Sequence, residues 1–412
     1  MTESPKTYII GAGVSGLIAA YELERNGFQP TILERSDSVG GRVKTLEEKG
    51  LHLDVGFQVL LSAYPLAQHY LDMESLDLRK LASGAMIYAN GKRYRIGDPL
   101  RNASVLFPTL FADIGSISDK FKILKLNNKL KQKSIEAIFD NPEQSTLEYL
   151  KDFGFSDKII GRFFRPFFAG IFLEPDLRTS SRMFEFVYKM FGEGYATIPS
   201  KGIGAISEQL KSKLSHTTFE FNTEVKEVNS AKLVLSSGEE RLHEGVIITG
   251  NASSLLPNMK DQEVQWKHCI CVYFEVDGTN IPAATIALIA DPNKRSNNLY
   301  AFTDAQSGKT ILSVTCLHTH GITDQELINQ VTDEVKQYTE CGQARYIHHY
   351  HIDQALPDIE HLRMTTQPSE SKVMDKVYLA GDYLFNGSLN AAMESGRLAA
   401  MAVVQSKSAL PQ

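Results

Sequence analysis

Residues 7–16 read TYIIGAGVSG, and the fold turns on them. The apolar run at residues 7–10 ends in Gly11-Ala12-Gly13-Val14-Ser15-Gly16. Small and apolar residues then recur at helical spacing, at Gly16, Ala20 and Leu23, until Gly27 stops the pattern. The expectation is strand, tight turn, helix. A second strand at residues 30–33 ends in Glu34, eighteen residues past Gly16. That is where a dinucleotide-binding unit places the carboxylate that takes the ribose hydroxyls. Each glycine answers a physical need. Gly11 allows the turn, Gly13 lets backbone approach a pyrophosphate, and Gly16 permits close packing of helix on strand. The helix N-terminus then offers amide donors and a favourable dipole to the anion.

The 412 residues are 42% hydrophobic and 22% charged, which fits a folded, water-soluble chain of two or three domains and excludes a disordered or fibrous protein. The formal net charge of −6 offers no general attraction to nucleic acid. It is unevenly spread, since residues 79–134 hold twelve basic and three acidic side chains, a local +9 against −15 elsewhere. Cys269, Cys271, Cys316 and Cys341 show neither C-x-x-C nor zinc spacing and are expected as reduced thiols in the cytoplasm. The start MTESPKTYIIGAG lacks the pattern of a secretory leader, and residues 159–173 are too short and too charged to span a bilayer.

Beyond Glu34-Arg35 the chain places Gly40-Gly41-Arg42 just after the second strand, then GLHLDVG with Gly50, Asp54 and Gly56. This extended pattern resembles the flavoprotein superfamily of amine oxidases, phytoene desaturases and protoporphyrinogen oxidases. The resemblance implies noncovalent FAD, with the paired glycines and Arg42 along its diphosphate. It also implies a closing C-terminal segment, and the chain has one: a strand at VYLAG (377–381), Asp382, and a helix beginning near Gly387-Ser388-Leu389-Asn390 whose small residues Gly387, Ala391, Ser395 and Ala399 recur every four positions. In the family Asp382 would bond the ribityl chain or phosphates, and amides of Leu389 and Asn390 would face the flavin. Val225 would meet adenine. The implied cofactor set is Gly11, Gly13, Val14, Ser15, Gly16, Glu34, Arg35, Gly40, Gly41, Arg42, Gly56, Phe57, Val225, Gly381, Asp382, Ser388, Leu389 and Asn390.

The expected architecture is an α/β, Rossmann-type FAD-binding domain (1–78, 195–258, 372–412) interleaved with an α+β substrate domain: a mainly helical, basic part (79–194) and an antiparallel sheet (259–371). Phe163, Phe164, Phe167, Phe168 and Phe172 either line an apolar tunnel or pack in the core. Arg162, Arg165 and Arg178 either meet an anionic group on a substrate or tie loops together. On a strand His349 and His351 share a face and His348 does not. With no carboxylate or thiol evident to complete a set there, nor at His318 and His320, no metal is expected.

Family resemblance implies hydride transfer from a hydrophobic small molecule to flavin N5, with no obligatory acid or base where the C–H is already activated, and the sequence names no catalytic residue. An oxygen-using amine oxidase is the alternative within the fold. Cys269 falls where many amine oxidases carry a lysine, with Lys267 two residues away, and their aromatic pair is represented at most by Tyr383 or Phe385. A non-enzymatic prenyl-binding protein of the GDP-dissociation-inhibitor type is the alternative of another class, and retention of the glycines, Glu34, Arg42 and Asp382 speaks against it. The basic segment 119–133, with Phe121, Ile123, Leu124, Leu126 and Leu130 interleaved, reads either as a helix laid over the core or as a peripheral membrane contact.

Overall fold

The computed structural model describes residues 6–97, 113–260, 262–304 and 306–408. Asp98 and Arg101 of the basic segment, and residues 1–5 of the N-terminal stretch, lie outside the described residues.

Five parallel strands make the first layer. Lys6–Ile10 lies between Thr31–Leu33 and Glu240–Ile248, Thr218–Glu220 extends one side, and Val377–Leu379 extends the other. Ile9 aligns with Ile32 and Ile247, and Ile247 with Tyr378, so one row of fully or nearly buried side chains crosses the sheet. Such continuous apolar runs are what a sheet covered on both faces requires. The hairpin of Val225–Val228 and Lys232–Leu235 continues from Glu240–Ile248 in antiparallel sense.

The helices Val14–Arg25 and Leu389–Ser408 cover one face and press on each other closely. A Cβ on Gly396 would lie 2.2 Å from the Ser15 carbonyl oxygen, so only glycine fits. Ala391, Ser395 and Ala399 are buried along the same helix. The smooth small-residue face noted in the sequence thus meets the first helix, with Ser15 Oγ 3.3 Å from Ser395 Oγ.

The second layer is a seven-stranded, largely antiparallel sheet: Ala344–Pro357, Trp266–Val276, Thr310–Cys316, Ser296–Thr303, Ile286–Ile289, Gly84–Ala89 and Lys92–Gly97, in that order. Its last two strands come from the stretch expected to be mainly helical. They join through the parallel pairing of Ile286–Ile289 with Gly84–Ala89, a long-range contact that local sequence does not announce. Helix Asp324–Thr339 packs on one face of this sheet through Leu327, Val331 and Val335.

The helices between residues 114 and 193 supply the apolar wall. Phe164, Phe168, Phe172, Phe184 and Phe186 are fully buried there. The basic helix Ile117–Gln132 begins with a capping box between Ser116 and Asp119. Its apolar residues divide: Leu126 and Leu130 are buried, whereas Ile117, Phe121 and Leu124, spaced four and three apart on one face, are 74%, 68% and 46% exposed. No described helix is long and apolar enough to cross a membrane.

Candidate functional site

The turn after the first strand decides the geometry. Gly11 adopts φ +103°, and its N–H donates to the Leu33 carbonyl at 2.8 Å. A Cβ on Gly16 would sit 2.1 Å from the Gly11 carbonyl oxygen, so the helix rests directly on the turn. Gly13 differs, because a Cβ there meets nothing within 4 Å and its φ of −72° suits any residue. It fronts open space. It is also the N-cap of Val14–Arg25, with no side-chain cap and no acidic residue in the first turn. The helix therefore presents uncapped N–H groups and the positive end of its dipole to that space.

The Gly40-Gly41 loop closes over the turn. Gly40 N–H donates to the Ala12 carbonyl at 2.9 Å, and Gly41, at φ +58°, leaves only 3.4 Å between its Cβ position and Gly13 Cα. Glu34, on the cavity wall, ties the glycine turn to the segment that follows its own strand. One carboxylate oxygen accepts from Ala12 N–H at 2.7 Å, the other from Ser36 N–H and Oγ–H at 2.9 and 2.8 Å.

From this turn a continuous cavity of about 1580 Å³ runs to the second layer. Of the cofactor set, Gly11, Gly13, Val14, Ser15, Glu34, Arg35, Gly40, Gly41, Arg42, Gly56, Phe57, Val225, Asp382, Ser388 and Leu389 border it. Gly16, Gly381 and Asn390 lie behind its wall. Asn390 is fully buried, and its side-chain oxygen accepts from Leu66 N–H at 3.0 Å, so at the helix start Ser388 and Leu389 border the cavity in its place. The reason is helical phase: one residue further along, the side chain turns toward the helix Pro65–Tyr70.

Arg42 and Asp382 meet each other. Both terminal guanidinium nitrogens donate to the two carboxylate oxygens, one at 2.9 Å, and the guanidinium lies 5.0 Å from the Trp266 ring centre. Burial works against the charge of Arg42, and the facing carboxylate more than offsets it, so the guanidinium is held protonated. The family resemblance implies a separate bond from each residue to a cofactor. The direct pair spans 340 positions and has no local signal.

Two buried polar atoms on the cavity wall, Tyr383 Oη and Trp266 Nε1, have no hydrogen-bond partner among the described residues. Buried polar groups are normally satisfied, so these two stand out among the residues of the wall. Trp266 was not anticipated. A lone Trp at a strand start carries no motif.

At its far end the cavity is lined by Phe167, Ile171, Phe172, Met183, Val187 and Phe191. Phe164 and Phe168 are core, and Phe163 packs against that core, so the aromatic run divides between tunnel and packing. The arginines divide too. Arg162 bonds Asp113, Arg165 bonds the Pro175 carbonyl and lies 3.9 Å from Asp176, and Arg178 borders the cavity with no ion pair among the described residues. Lys267 Nζ lies 3.2 Å from both Asp358 Oδ1 and Thr179 Oγ1. Two residues on, burial pushes the Cys269 thiol up to about 12, so it stays a neutral wall residue. Tyr383 borders the cavity and Phe385 is buried away from it.

The sequence profile described as flavin containing amine oxidoreductase matches residues 14–404. An L-amino-acid oxidase of Crotalus adamanteus is 30% identical over 158 residues, covering 36% of this chain and 31% of that protein. Protoporphyrinogen oxidase 2, chloroplastic/mitochondrial, of Arabidopsis thaliana is 30% identical over 164 residues, 39% of this chain and 31% of that protein. The chain thus spans about a third of the length of these curated relatives. Among solved structures, an oxidoreductase from Methanosarcina mazei superposes with a TM-score of 0.70 at 18% identity, covering 97% of this chain and 100% of that one. Cyclohexylamine oxidase from Brevibacterium oxydans gives 0.70 at 14% identity, covering 98% and 99%. At such identities the likeness is one of fold.

Proposed function

The chain belongs to the flavin-containing amine oxidoreductase family, and from that premise we propose that it is an FAD-dependent oxidoreductase that oxidises a hydrophobic small molecule at a C–H bond. The carrying observation is the continuous cavity that joins the uncapped helix start at Gly13 to the aromatic wall of Phe167 and Phe172. The residues fit a dinucleotide. Space in front of Gly13 admits a diphosphate to the helix N–H groups, Glu34 stands where ribose hydroxyls are taken, and Val225 offers an apolar edge to adenine. Arg42 and Asp382, which bond each other and both border the cavity, are the pair that would hold the diphosphate and ribityl portion of the cofactor. Tyr383 Oη and Trp266 Nε1 supply donors. In the sequence, no histidine or cysteine neighbours the start of helix Leu389–Ser408, which supports noncovalent binding.

When bound, FAD supplies a two-electron acceptor. The chain's own part is to bind, orient and dry the site. Phe167, Ile171, Phe172 and Phe191 hold an apolar substrate and exclude water, and Arg178 and Lys267 bring positive charge to the cavity. Lys267 is held at the cavity wall by Asp358 and Thr179. Anaerobic mixing of the purified yellow protein with panels of hydrophobic C–H donors and of amines tests this reading. Bleaching of flavin absorbance by the former is expected, and rapid peroxide release with amines in air would replace it by the amine-oxidase reading.

The exposed Ile117, Phe121 and Leu124 on a lysine-rich helix favour a second element: peripheral contact with an anionic lipid surface, suited to delivery of a lipophilic substrate. Four buried, unpaired cysteines support a reducing, cytoplasmic setting.

A further inference from the structure

The strand Ala344–Pro357 places His349 and His351 on one face, two residues apart, while His348 turns to the other side, near Glu48 and the Tyr350 ring. The fold then adds what the sequence lacked. Helix Asp324–Thr339 begins over this strand, and its first residue, Asp324, points a carboxylate at both imidazoles. One oxygen is 2.9 Å from His351 Nε2 and the other 3.2 Å from His349 Nε2, and the three ligand atoms lie within 4.8 Å of one another. Two ligands bound at about 2.0–2.1 Å in tetrahedral geometry stand about 3.3 Å apart, so little movement separates the present arrangement from a coordinated one. An outer partner is also in place, because Tyr346 Oη lies 2.7 Å from His349 Nδ1 and can accept its N–H, fixing the tautomer that leaves Nε2 free to bind metal.

We propose that Asp324, His349 and His351 form a binding site for a divalent ion of zinc type, which staples the start of this helix to the strand bordering the cavity. Two imidazoles and a carboxylate suit zinc and its borderline neighbours over magnesium or calcium, and leave a fourth position for water. The positive end of the helix dipole opposes a cation, but Asp324 and Glu326 both stand in the first turn and counter it. No lysine or arginine is ion-paired to Asp324 among the described residues, so the carboxylate has no cation to displace. The strand runs on from His351 through Ile352, which packs on Gly56, to Ala355, whose carbonyl lies 3.5 Å from Arg42 Nη1. Metal here therefore stiffens the wall of the cavity. The proposal does not depend on flavin chemistry.

The test is calorimetric titration of the protein as purified with zinc chloride in a non-coordinating buffer. One zinc per chain is expected, with binding at least ~10-fold weaker in His349→Gln, His351→Gln and Asp324→Asn, weakened in Tyr346→Phe, and unchanged in His320→Gln. The metal-free thermal midpoint of each ligand variant serves as its own reference. Added zinc should raise the parent's midpoint and not theirs. Absence of zinc binding, or binding that survives all three ligand substitutions, overturns the proposal.

Discussion

Gly13 and Gly16 stand three residues apart in one turn, and the structure gives them opposite roles that a pair of substitutions separates. Gly13→Glu places its Cβ where nothing lies within 4 Å, on a backbone that any residue adopts. Folding stability should therefore change by less than about 0.5 kcal/mol. The carboxylate extends into the space before the helix start. There, a like charge about 5 Å away at an effective dielectric of 20 costs about 3 kcal/mol, roughly two orders of magnitude in affinity for an anionic cofactor. Gly16→Ala drives a methyl to 2.1 Å from the Gly11 carbonyl, a backbone atom that cannot swing away. Overpacking of this kind costs about 1–3 kcal/mol or more in the fold itself. The assay is the ratio of flavin to protein absorbance after purification and after dialysis against FAD, alongside the thermal midpoint of each apo-protein. Expected are a colourless, normally stable Gly13→Glu and a destabilised Gly16→Ala. A Gly13→Glu protein with full flavin occupancy and parental affinity refutes the placement of the diphosphate.

Three further outcomes follow from named contacts. Arg42→Met leaves the Asp382 carboxylate, only 5% exposed, without its partner at the edge of the cavity; the apo-protein should lose about 1–3 kcal/mol, a fall of roughly 1–3 °C in midpoint, and Arg42→Met/Asp382→Asn should recover part of it. Equal midpoints for single and double variants would dismiss the pair as a unit. Asp119 is buried where the desolvation that would raise its pKa is outweighed by donors from Ser116 and Ser156, leaving it at about 2. A depressed carboxylate stabilises the fold above its unfolded value near 4. Asp119→Asn should therefore cost about 2.5 kcal/mol at neutral pH, a deficit that closes as pH falls from about 4 to 2 in chemical denaturation, and a pH-independent deficit would reject the cause. Finally, vesicles rich in anionic lipid should retain the protein in low salt, and Phe121→Asp should weaken retention by about 10- to 100-fold; indifference to both salt and substitution would exclude that helix face as the contact.

Much of the first layer was legible because its information is local. Strand, glycine turn, helix and spaced acid occupy residues 7–34 without interruption, and the strand before Asp382 with its small-residue helix repeats that economy. What escaped depended on partners distant in sequence. Arg42 meets Asp382 across 340 positions, and Asp324 reaches the two histidines from another element. Apolar composition also cannot say which side of a helix faces a cavity. Phe167 and Phe172 border it while Phe164 and Phe168, on adjacent turns, fill the core. Likewise the basic helix showed its lysines in sequence, but only packing against Ser181–Glu193 reveals that Leu126 and Leu130 are spent inward and Phe121 and Leu124 are not.

The parallel alignment of Ile247 with Tyr378 carries a consequence for the order of assembly. Residues 246–248 are among the most apolar of the sheet, and the strand that covers their open edge lies about 130 residues further along the chain. At ribosomal rates of about 5–20 residues per second, that edge waits roughly 6–25 s for its neighbour. Throughout that interval the part of the cavity wall that carries Asp382 has not been made. The nascent chain thus carries a sticky, unfinished sheet for longer than most domains take to fold, a window in which a chaperone has something to hold and free flavin has nothing complete to bind.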